Sequence, residues 1–265
     1  LIIVFLSTLF ITPSCGRVEK SYDLKIIFLH HSTGKIIWNG NKAKKMSLPL
    51  LFENYNKENQ KKYLIREIDF PKSKPYGWRN YPYDYYKIWV KNAGDNPFME
   101  EPTLEMLTKE YQVIILKHCF PVSNIREEES SPDINSDLKT ISNYKVQYDA
   151  LRNKLHEFPD TKFILFTGAA QVKANITEEA AEKAKEFFRW VTEKWDLPDD
   201  NIYIWDLYSI QTDGGLYFED KYAISPNDPH PNKDFAGKAS KLLFDRTIDI
   251  IENNGNGTKL TGERK

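Results

Sequence analysis

The chain has 265 residues, 40% of them hydrophobic and 28% charged, enough for one large α/β domain. Its 37 basic and 38 acidic side chains leave a net charge of −1, so the basic excess that nucleic-acid binders show is missing. Cys15 and Cys119 are the sole cysteines, too few for a disulfide framework. Aromatic residues reach 14%, a share that suits either a packed core or a sugar-binding cleft.

In chain order, residues 1–11 (LIIVFLSTLFI) form an uncharged apolar run. The run is too short to span a bilayer and has the length of a signal-peptide core, although no positive segment precedes it. The small residues that follow, through Ser14-Cys15-Gly16, resemble a bacterial lipobox. That likeness implies cleavage before Cys15 and lipid on its sulfur, with the protein anchored at the bacterial cell envelope, in the periplasm or on the surface. Thr12 and Pro13 depart from the usual lipobox. A plain signal peptide or a buried first strand is the alternative. Residues 16–23 are polar and read as a tether, and Cys119 reads as a small core residue.

Five short apolar runs follow: Leu24 to Leu29, Tyr63 to Ile68, Gln112 to Leu116, Lys162 to Phe166, and Asn201 to Trp205. Rich in Ile and aromatics, they read as strands buried on both faces. Between them the period changes. Ile141, Tyr144, Tyr148, Leu151 and Leu155 recur at helical spacing, as do Ala180, Ala184, Phe187, Val191 and Trp195, with Thr177 placed as N-cap. A last helix is predicted from about Asp234 to Ile251. Alternation of strand and helix predicts a parallel sheet covered on both faces, its functional loops along one edge. The segment from Pro71 to Pro102 breaks the pattern, being dense in Pro, Gly, Tyr and Trp. It could wall a cleft, with Trp78 facing substrate, or be a long packed loop. Residues 253–265 are polar and Gly-rich and are expected to be disordered.

Two places carry chemistry. Ser32, in His30-His31-Ser32-Thr33-Gly34, stands just past the first strand, at the functional edge. A serine hydroxyl attacks well only when a base takes its proton. His230, in Ser225-Pro226-Asn227-Asp228-Pro229-His230-Pro231-Asn232, lies in a proline-stiffened loop before the final helix, with Asp228 near enough to orient it.

A first-strand serine joined to a late Asp-His pair and His-Pro-Asn resembles the SGNH (GDSL-like) hydrolase superfamily, over Leu24 to Ile250 in architecture. The resemblance implies a flavodoxin-like three-layer α/β/α sandwich with a five-stranded parallel sheet, spanning 24–252 here. It also implies a serine esterase, acting on a small acyl ester and in many members deacetylating a carbohydrate. Ser32 matches the nucleophile, His230 the base and Asp228 the acid. Asn124 and Gly94 would complete the oxyanion hole, and His31 and His118 would line the substrate pocket. No cofactor and no metal is expected; adjacent His30 and His31 point to opposite faces of an extended chain. The departures are specific. His30-His31 replaces the family's Gly-Asp, and Asn227 stands where the acid three residues before the histidine is usual, which leaves Asp206 as a second candidate. A non-catalytic glycan-binding lipoprotein on the same fold is the alternative reading.

Overall fold

The computed structural model describes residues 21–265 apart from 73, 78, 129 and 130. Cys15, with the whole signal and lipobox reading, and Trp78 lie outside the described residues. In chain order the elements are β1 (Leu24–His30), α1 (Thr33–Asn39), α2 (Leu48–Asn59), β2 (Tyr63–Asp69) and α3 (Pro82–Tyr85), the last continued by a wider turn over Tyr86–Lys91. Next come α4 (Leu104–Leu107), β3 (Val113–Leu116), α5 (Ile141–His156), β4 (Lys162–Phe166) and α6 (Glu178–Trp190). The chain ends with β5 (Ile202–Trp205), α7 (Leu207–Thr212), β6 (Ala223–Ser225), β7 (Asp228–Pro231) and α8 (Lys233–Asn253).

β1 to β5 form one parallel sheet in the order β2-β1-β3-β4-β5. The four residues of β3 and the last four of β4 are all buried, as expected for strands covered on both faces. α1 and α2 pack with α8 on one side, while α3 and its continuation pack with α5 on the other. Thr177 caps α6 by accepting from the Ala180 N–H, and Asn232 caps α8 by accepting from Phe235. The α/β sandwich read from the sequence is therefore the fold observed. After β1 the chain moves outward to β2, then crosses back to β3 on the other flank. This reversal opens a crevice beyond the C-terminal ends of β1 and β3, where such sheets bind ligands.

Two sequence expectations are corrected. The loop holding His230 is an antiparallel hairpin of β6 and β7, with Ser225 opposite Asp228. The tail, expected to be disordered over 253–265, is folded back onto the domain beyond the end of α8 at Asn253. Trp205 Nε1–H donates to the Thr261 carbonyl, Asp206 N–H donates to Leu260, and buried Arg246 donates to Gly255. The Asp249 carboxylate accepts from the N–H groups of Gly257 and Thr258 and from the Thr258 hydroxyl. Composition missed this because, beside Leu260 packed on the core, the tail is held mainly by hydrogen bonds from its backbone to Trp205, Asp206, Arg246 and Asp249.

Burial pushes the Asp249 carboxyl upward, but hydrogen bonds from Thr258, Asn253 and Gly257 outweigh it and hold the group below the usual Asp range. A depressed native pKa contributes stability that is present above the unfolded Asp value of about 3.9 and is lost as pH falls through the folded value. Acidification below about pH 4 is therefore expected to release the tail before the sheet unfolds. Hydrogen exchange of residues 254–265 checks this, and in Asp249→Asn the same amides should exchange fast at neutral pH as well.

Candidate active site

β1 ends at His30, and residues 31–34 turn the chain into α1. The His31 carbonyl accepts from the Gly34 N–H at 2.7 Å, closing a four-residue turn. Ser32 sits at its second position with φ 40° and ψ −101°. That is close to the glycine-favoured position of a type II′ turn, so a serine there is strained. A Cβ on Gly34 would approach His30 Cβ to 2.4 Å and Lys117 Cδ to 2.8 Å, so this part of the turn requires glycine. The Ser32 side chain makes no capping bond to α1. Its hydroxyl instead donates to His230 Nε2 at 2.5 Å, across 198 positions of sequence.

His230 reaches the serine from β7, whose burial alternates residue by residue. Pro229 and Pro231 are buried, and Asp228 and His230 share the half-exposed face. One Asp228 oxygen, Oδ1, accepts from His230 Nδ1–H at 2.6 Å and from the His230 backbone N–H at 3.0 Å. These bonds, the backbone one first, hold the Asp228 carboxyl below the usual range. With Nδ1 protonated toward the carboxylate, Nε2 is left as the acceptor for the hydroxyl. The two-residue spacing places acid and base on one face of a strand, where a three-residue spacing would not. Asn227 occupies the turn instead, its carbonyl accepting from the Asn175 side chain.

The loop after β3 forms the opposite wall. The Phe120 ring meets the His230 ring edge-on, with centroids 5.2 Å apart and planes at 88°. Asn124, four residues further, is exposed at the end of the short helical turn Phe120–Ser123. His31 borders the serine, half-buried, with its Nε2 tied to the Pro71 carbonyl. Burial lowers its pKa, opposed by the hydrogen bond to Pro71.

Three sequence assignments fall elsewhere. Gly94 is not at the crevice: its carbonyl accepts from the Thr103 hydroxyl at 2.6 Å, beside the segment leading into β3. His118 does not line a pocket either. It is 1% exposed, bonded to the Tyr148 hydroxyl at 2.6 Å and packed on Tyr85, and burial followed by Lys117 pushes its pKa down to about 3. Two residues past the buried strand β3, the chain at His118 still runs through the core. Asp206, the second candidate for the acid, caps α7 through Ser209 and accepts from Thr167.

Two buried groups, His30 and Lys117, lie behind the serine, and for Lys117 the sequence alone suggested no role. His30 is fully buried and hydrogen-bonded through Nε2 to Glu67 at 2.8 Å; burial, then Lys117, pushes its pKa down to about 2. Lys117 is 1% exposed under the Ser32 turn. The signal for it was present: a lysine continuing a run of strand residues buried on both faces. Among the described residues, no helix is long and apolar enough to cross a membrane.

No family model and no curated protein matches the sequence. Among solved structures the chain is similar to BT4096, a gut microbial diltiazem-metabolizing enzyme, at 14% identity and a TM-score of 0.48, over 84% of this chain. The chain spans 46% of that protein's length. It is also similar, at 13% identity and a TM-score of 0.39, to a carbohydrate esterase whose active site has divergent catalytic and non-catalytic binding functions. That likeness covers 89% of this chain and 71% of the esterase.

Proposed function

We propose that this protein is a serine esterase of SGNH type that removes a small acyl group, an acetyl on a carbohydrate in the first instance. The observation carrying the reading is the relay from Ser32 Oγ to His230 Nε2 at 2.5 Å and from His230 Nδ1 to Asp228 at 2.6 Å. An alcohol, an imidazole and a carboxylate in this sequence form a nucleophile, its base and the group that orients the base.

His230 takes the hydroxyl proton as Ser32 Oγ attacks the ester carbonyl. The negative charge that develops on the carbonyl oxygen is held by the Ser32 N–H and by the Asn124 amide. Collapse of the tetrahedral species expels the alcohol, which takes the proton from His230, and leaves an acyl group on Ser32. Water, deprotonated by the same imidazole, then releases the acid. Asp228 stabilises the imidazolium formed in each half. Phe120, edge-on to the His230 ring, and His31, next to the serine in the chain, would border the bound ester. Lipid on Cys15 would hold the enzyme at the bacterial cell envelope, a reading supported by the apolar run and small residues before that cysteine.

A fluorophosphonate probe tests the reading directly. Covalent labelling of Ser32, found by peptide mass spectrometry and suppressed by an acetylated sugar, is expected. No labelling under conditions where known serine esterases react would sink it.

A further inference from the structure

Lys117 is a buried cationic side chain that the proposed chemistry leaves unused. It follows β3 directly and is 1% exposed. Its Nζ donates to the His31 carbonyl at 3.3 Å and lies 3.6 Å from the Cys119 sulfur. Burial draws its pKa down, and Cys119 opposes the shift. Taking such a group out of water is unfavourable unless its hydrogen bonds are worth having. Leucine or methionine would fill the same space more cheaply.

The carbonyl it holds explains the choice. The His31 C=O and the Ser32 N–H belong to one peptide group, which is not among the cis bonds of this chain. In a trans peptide the two point in opposite directions. The carbonyl is turned inward, onto buried Lys117, so the N–H is turned outward, to the rim where Ser32 meets His230. The same carbonyl also accepts from Gly34 at 2.7 Å. Each bond to the oxygen polarises the amide and makes the N–H at its other end a stronger donor. Two inward bonds also hold a peptide whose following residue has the unfavourable φ of 40°.

We propose that Lys117 is a positioning residue: it locks the His31–Ser32 peptide plane and strengthens the Ser32 N–H as an oxyanion donor. Its catalytic consequence rests on the esterase reading, whereas the hydrogen bond to His31 does not. Lys117 touches no substrate. It acts through the backbone of the nucleophile, from the strand on the other side of the crevice, and so couples the β3 edge to the β1 turn.

The test compares the parent with Lys117→Met, which keeps the volume and removes the donor, and Lys117→Gln, which keeps a shorter donor. In Lys117→Met the Ser32 amide proton, followed by NMR, should move upfield and exchange faster. Turnover of an acetyl ester should fall at least tenfold with KM unchanged, short of the ~100-fold or more that follows loss of an oxyanion donor itself. Lys117→Gln should fall between the two proteins in both readouts. Cooperative thermal melting of both variants near the parent value separates positioning from misfolding. If Lys117→Met fails to melt cooperatively, the milder Lys117→Gln decides alone. An unchanged Ser32 amide resonance, or an unchanged kcat in a folded variant, would overturn the proposal. Absence of turnover in the parent itself would instead count against the esterase reading, and the amide signal would then decide the Lys117 contact by itself.

Discussion

Ser32→Ala is expected to lower ester turnover by on the order of a million-fold while leaving the fold intact. The reason lies in the geometry of the turn. The Ser32 hydroxyl makes no cap for α1, and the contact observed for it is the one to His230. Its loss therefore removes the nucleophile and no structural bond. Alanine shares serine's difficulty at φ 40°, so the melting temperature should move little. Ser32→Gly sharpens the experiment: it should be equally inactive, yet more stable by about 1 kcal/mol, because glycine takes that φ without strain. A substitution that gains stability and gives up activity is the signature of a site under functional constraint. If Ser32→Ala kept the parent's rate on every ester tried, whatever hydrolysis the protein shows would come from somewhere else.

Asp228→Asn is expected to reduce kcat by about a thousandfold to ten-thousandfold with KM unchanged. Oδ1 of Asp228 takes both the ring and the backbone N–H of His230, so an amide can preserve part of the orientation. It cannot balance the imidazolium that forms as the serine proton is taken, and it favours the wrong tautomer. Steady-state kinetics on the two variants measure the effect. A second arm tests the strand argument. In the swap Asn227→Asp with Asp228→Asn, the acid is restored to the position three residues before the histidine. Asn227 stands in the turn before β7, off the strand face that Asp228 shares with His230, so the swap should rescue nothing. Recovery of more than about a tenth of the parental rate would show that the hairpin is not what selects the acid.

The same pair of residues shows how much was legible beforehand. Ser32, Asp228 and His230 could be picked out because each residue type stood in a telling place: a serine past the first strand, and an acid and an imidazole among prolines before the last helix. What the sequence could not supply was the distance across 198 positions, since that depends on two elements meeting at one rim. The spacing of Asp228 looked irregular until β7 formed. As a loop the segment has no faces, whereas as a strand it has two, and alternation puts acid and base together.

The opposite error was made with Gly94 and His118. Both residue types suit a site, and both lie near the β3 edge in sequence. Their surroundings decide otherwise: Gly94 is tied to Thr103 through its carbonyl, and the His118 ring is held in the core by Tyr148. The tail after α8 misled for a related reason, because Asp249 and Arg246 hold it through backbone groups that composition does not register.

By itself the sequence determined the layered α/β architecture, the number of parallel strands and the three long helices of the second half. These follow from local periodicity and short buried runs, which act within a dozen residues. Only the tertiary structure decided which polar groups face the crevice and which are spent holding the fold together. That choice depends on the strand order β2-β1-β3-β4-β5 and on burial, and no window of sequence contains either. Lys117 is the plainest case: a charge among core residues in the sequence, and in space the support beneath the serine's peptide.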